Sequence, residues 1–109
     1  MNKTEVSELL QALPEQLKEV EYDYYGALSR LEDTKLALHA KECELFSQGL
    51  ITGKNEQMRD AEIWQHSHEL RRALLKAKMA VDQTKVEYDY MKNKLENTQL
   101  IARLLLQIQ

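Results

Sequence analysis

The sequence predicts an all-α chain folded as an antiparallel coiled-coil helical hairpin with a short or kinked N-terminal helix. Three observations carry that expectation. The 109 residues include only three glycines and one proline, too few turn formers for a sheet protein of this length. Leucines and other apolar residues recur at heptad spacing in both halves of the chain. One glycine-bounded stretch, SQGLITGKN, separates the halves. With 43% hydrophobic and 30% charged residues, the composition is that of a folded chain, and a single domain over 1–109 is expected.

The elements follow from breakers, caps and periodicity. Pro14 cannot donate a backbone hydrogen bond and its ring crowds the preceding turn, so Thr4 to Ala12 is expected as a separate short helix or a kinked first turn, capped by Thr4. The first long helix, about 14–48, follows a seam of Leu10, Leu17, Tyr24, Leu31, Leu38 and Leu45, with Leu13, Val20, Ala27 and Thr34 three places after the first four. In the loop, about 49–54, Gly49 and Gly53 can end one helix, and Asn55 can cap the next. The second helix, about 55–108, carries its own seam of Ile63, Ser67, Leu70, Leu74, Ala77, Val81, Thr84, Tyr88, Met91, Leu95, Thr98, Ala102 and Leu105.

In an antiparallel pair each a position faces a d position. A register that sets Leu13 against Tyr88, Val20 against Val81, Leu31 against Leu70 and Leu38 against Ile63 does so throughout. It places large side chains mostly against small ones and reverses the chain near residues 50 and 51. A register displaced by one heptad obeys the same rule.

The pentapeptide VEYDY occurs at Val20–Tyr24 and again at Val86–Tyr90. Tyr24 falls on the first seam and Tyr88 on the second, so the copies are out of phase. The register puts Tyr22 level with Met79. One inward tyrosine per copy, the rest being amphipathic surface, is therefore expected rather than a duplicated recognition box.

Formal net charge is only -3, but it is unevenly placed. Eight acidic and four basic residues lie between Glu15 and Glu44, against three acidic and seven basic between Leu70 and Lys94. Laid side by side, the two segments attract. That complement is the simpler account of Arg71, Arg72, Lys76, Lys78 and Lys85. The alternative is a phosphate-binding strip, which would make the protein a nucleic-acid-binding accessory factor for phage recombination or replication.

Other chemistry is thinly represented. Cys43, the single cysteine, permits no internal disulfide and fits a reducing compartment. MNKTEVSELL lacks the apolar core of a signal peptide, and no apolar run approaches the roughly 20 residues that span a bilayer, so a cytoplasmic protein without membrane association is expected. His39 and Cys43 stand four apart, and His66 and His68 point to different faces, with no further ligand converging on either pair. No metal site, cofactor or catalytic constellation is expected. GLITGKN departs from a phosphate-binding loop, having three residues between its glycines and Asn55 after Lys54. A hinge accounts for it.

Beyond Thr98, which the register sets opposite Lys3, little hairpin remains to be faced. Leu100, Ile101, Leu104, Leu105, Leu106 and Ile108 are accordingly expected to form a self-association surface, making the chain at least a dimer.

From LITGKNEQMRDAE onward, through LRRALLKAKMAVDQTKVEYDYMKNKL and the apolar tail, the second half resembles a group of small bacterial and phage helical-hairpin proteins. They share GKN, three residues, then Arg ahead of a long C-terminal helix, here Gly53, Lys54, Asn55 and Arg59. The adjacent arginines and the nearby histidines of this chain are not part of that pattern. The resemblance implies a hairpin and a phage or prophage accessory role without a particular activity. It also marks Gly53, Lys54, Asn55 and Arg59 as a tip that contacts a protein partner. The expected function is a non-enzymatic, self-associating protein-interaction module.

Overall fold

The structure, a computed structural model, describes residues 1–107. It is an all-α helical hairpin in which helix α1, Lys3–Ser47, packs against helix α2, Glu56–Gln107. No helix among the described residues is long and apolar enough to cross a membrane.

Asn2, not Thr4, caps α1: its Oδ1 accepts the Glu5 backbone N–H at 2.8 Å, and its carbonyl accepts that of Val6 at 3.0 Å. Pro14 lies inside α1, so the separate short helix expected before it does not exist. An interior proline costs about 3 kcal/mol. Val6 and Leu13, in the turns leading up to it, are buried, and each such side chain contributes about 1.5–3 kcal/mol. Packing therefore outweighs the lost hydrogen bond.

The far end of α1 closes in a Schellman turn. Leu50 donates its N–H to the Leu45 carbonyl and Gly49 to that of Phe46, both at 3.1 Å, while Gly49 takes a φ of 72°. Asn55 caps α2 as expected, its Oδ1 accepting the Met58 N–H at 2.8 Å.

Two compact units make up the chain: a loop unit, Ala27–Ala80, and a terminal unit, Met1–Gly26 with Val81–Gln109. In each, the two seams read from the sequence lie inward. Every seam residue is buried or half-buried, with Leu13 and Leu45 the largest apolar side chains taken fully out of water. Ser67 and Thr98, the buried polar members, return their hydroxyl protons to carbonyls of their own helix, Ile63 at 2.6 Å and Lys94 at 2.7 Å. Burial without an orphaned donor is tolerated.

The pairing of the seams differs from the expected register. In the terminal unit Tyr88 meets Tyr24, with ring centroids 5.7 Å apart, instead of Leu13. The displacement is eleven residues, about 16 Å along the axis at 1.5 Å per residue. In the loop unit Arg71 donates to Glu42 Oε1 at 2.9 Å, where the expected register would bring Arg30, a displacement of twelve residues between these long side chains. The cause lies in the loop. Instead of reversing tightly at residues 50 and 51, the chain after Gly49 runs beside the start of α2: Thr52 donates its N–H to Glu62 Oε2 at 2.7 Å, and Arg59 Nη1 donates to the Gly53 carbonyl at 3.3 Å. The loop covers the first turns of α2, so α1 meets α2 later. Eleven residues are close to three helical turns, so the slide keeps seam facing seam.

Candidate functional site

The loop is built by the residues that the resemblance singles out. A Cβ on Gly53 would stand 2.8 Å from the Arg59 backbone nitrogen, and as close to the Met58 Cβ and Glu62 Oε1. Only glycine lets the backbone approach α2 this closely. Asn55 caps the helix, and the half-buried Arg59 holds the Gly53 carbonyl. Three of the four expected partner-contact residues thus have structural work within the loop, and Lys54 and Asn55 are the two exposed members.

At the terminal unit, the expected self-association residues divide into two sets. Ile101 and Leu105 are half-buried; Leu10, Val6, Ala102, Leu105 and Leu106 line an apolar hollow of about 340 Å³. Their expected lack of hairpin partners is corrected by the eleven-residue slide, which brings the start of α1 alongside them. Leu100, Leu104 and Leu106 remain 53, 58 and 69% exposed. Ile108 lies outside the described residues.

The two VEYDY copies are out of phase, with Tyr24 and Tyr88 half-buried and Tyr22 and Tyr90 exposed. They are nonetheless level with each other, contrary to the expected placement of Tyr22 beside Met79. Tyr25 adds its ring 5.6 Å from Tyr24, and Lys92 Nζ sits 5.6 Å from the Tyr88 ring centroid. All five tyrosines of the chain belong to this one unit.

Arg71, Arg72, Lys76, Lys78 and Lys85 are all exposed. Among the described residues, Arg71 to Glu42 is the one ion pair joining the helices. Complementarity with α1 therefore engages one of the five directly. His39 Nε2 lies 3.7 Å from Cys43 Sγ, and the Trp64 and His68 rings are 6.1 Å apart. No group of three or more His, Cys, Asp or Glu side chains converges among the described residues.

Comparison with family models, curated proteins and solved structures finds no match in any of the three. The site is consequently read from this chain alone.

Its most prominent chemistry is apolar and outward. Among the described residues five apolar side chains are buried, Val6, Leu13, Ala27, Leu45 and Met91, whereas fifteen large ones are exposed, among them Trp64, Leu75, Met79, Val86 and Tyr90. Val86 and Tyr90 belong to the amphipathic surface expected of VEYDY, whereas Trp64 and Leu75 were passed over because they fall off the inner seams. Their signal was available as apolar residues at positions where a two-helix pair needs none.

Proposed function

We propose that this chain is a non-enzymatic helical interaction module that self-associates, of the phage or prophage accessory kind implied by its second half. The supporting observation is the balance of apolar surface. A compact monomer of 12.8 kDa exposes about 6,300 Å², whereas this chain exposes 8191 Å². The difference, roughly 1,900 Å², exceeds the roughly 800 Å² per partner of a standard interface. Exposed leucines, tyrosines and a tryptophan account for its apolar character. Sedimentation of the intact chain at micromolar concentration tests the reading: a mass of two or more chains is expected, and a well-folded monomer refutes it. A protein partner at the loop would reach Lys54 and the exposed side chains beside it.

The exposure of Arg72, Lys76, Lys78 and Lys85 favours a second reading, in which the basic residues bind nucleic acid. Affinity for single- or double-stranded DNA that falls steeply with salt supports it, and no binding at low salt removes it.

A further inference from the structure

In the terminal unit, α2 carries a second seam beside the one that faces α1. Its members are Val86, Tyr90, Asn93, Asn97, Leu100 and Leu104, spaced four, three, four, three and four, and all six are exposed. Tyr90 and the residues after it each follow an inward residue by two places, about 200° round the helix, as Tyr90 follows Tyr88 and Asn93 follows Met91. Such spacing is the a and d pattern of a helix that packs against another helix; Met1 and Leu9 border it at Tyr90, Asn93 and Asn97, and all six side chains nonetheless stay exposed.

The order of residue types along this seam is the same from either end. Counting outward from Leu95, Asn93 is matched by Asn97, Tyr90 by Leu100 and Val86 by Leu104, and Gln83 and Gln107 close the two ends. A two-fold axis near residue 95 would set apolar against apolar and Asn against Asn. This is the self-complementarity that an isologous contact requires, each residue i meeting j while j meets i. A foreign helix would impose no such mirror order.

We infer that the outer seam of α2 is where a second copy of this chain binds, antiparallel, with its two-fold axis near residue 95. The inference rests on the self-association proposed above and names its surface. Asn93 and Asn97 form a polar layer across the axis that fixes register, because a slip would bury an amide against a leucine. On one edge Asp89 meets Arg103 of the second copy, twice by symmetry. At the axis Glu96 meets its own counterpart on that edge, and Lys94 meets its own on the other. These like-charged approaches weaken the dimer at low salt.

Chemical crosslinking tests it, in chains where Cys43→Ser removes the native thiol. Glu96→Cys should link to itself across the axis with a short bismaleimide. Gln83→Cys should not, since two such residues lie about 36 Å apart in this arrangement, but should link to Gln107→Cys when the two variants are mixed. Glu96→Gln should tighten the dimer roughly two- to fivefold at low salt. Self-linking of Gln83→Cys would mean a parallel pair and overturn the inference while self-association stands. An oligomer that gives neither the Glu96→Cys link nor the mixed link would overturn it in the same way. A monomer by sedimentation removes both the seam contact and the proposed self-association.

Discussion

Tyr24 and Tyr88 stack across the hairpin at 5.7 Å with their rings tilted by 30°, and this pair fixes which parts of α1 and α2 face each other in the terminal unit. It joins the inward tyrosine of one VEYDY copy to that of the other. Aromatic pairs in this geometry contribute about 0.5–1.5 kcal/mol beyond their burial, which favours the observed register over the expected one.

The register is open to a direct test by disulfide formation. With Cys43 replaced by serine, cysteines at positions 10 and 102 should form an intramolecular bridge, since Leu10 and Ala102 line the same hollow. Cysteines at 20 and 81 should stay reduced. The opposite pattern in a non-reducing gel would mean that Tyr88 stacks elsewhere.

Much of this fold was legible in the sequence, and what was missed has one origin. Period and phase are local properties, so every seam residue from Leu10 to Leu105 was found, together with the Gly49 stop and the Asn55 cap. Register is a relation between distant segments. It depends on how Ile51, Thr52 and Gly53 lie along α2, through Glu62 and Arg59, and no heptad rule contains that information. Large against small was the wrong criterion here, because Tyr24 and Tyr88 meet each other, one large ring against another. The separate helix before Pro14 failed for a related reason, since burial of Val6 and Leu13 overrides a local breaker. At the candidate site, the slide covers Ile101 and Leu105 while leaving Leu100 and Leu104 outward.

The two loop glycines should respond differently to substitution. Gly49 is needed for its positive φ, with nothing within 4 Å of a would-be Cβ, so Gly49→Asn should cost under about 1 kcal/mol because Asn enters the left-handed region. Gly53 is needed for space, and Gly53→Ala should cost about 1–3 kcal/mol through overpacking against the backbone of α2. Urea denaturation distinguishes them. Equal losses would mean that the loop can move away from Arg59.

Lys54 and Arg59, paired by their motif, should separate by their contacts. Arg59→Ala removes the bond to the Gly53 carbonyl and should destabilise by about 0.5–1.5 kcal/mol. Lys54→Ala, at an exposed position, should stay within about 0.5 kcal/mol of the native chain. If thermal melting shows neither change to matter, the loop is not held by Arg59 and the partner-contact role of the whole motif regains its motivation.

The apolar end of α2 offers the sharpest separation of folding from assembly, because consecutive residues there, about 100° apart round the helix, differ in exposure. Leu100 and Leu104 are more than half exposed, whereas Ile101 and Leu105 are half-buried. A charge at Leu105 would have to leave the hollow it shares with Val6 and Leu10 or be desolvated there, either of which costs several kcal/mol. Leu105→Glu should therefore lower the melting temperature and fray the terminal unit. Leu100→Glu with Leu104→Glu puts charge where water already reaches in a single chain, so an isolated hairpin should keep its helicity. The same pair would set four carboxylates into any interface built on that face, and the mass in sedimentation should fall to that of one chain. Circular dichroism and sedimentation on the same samples decide the matter: if the outward double variant unfolds while Leu105→Glu does not, the assignment of inner and outer faces is reversed.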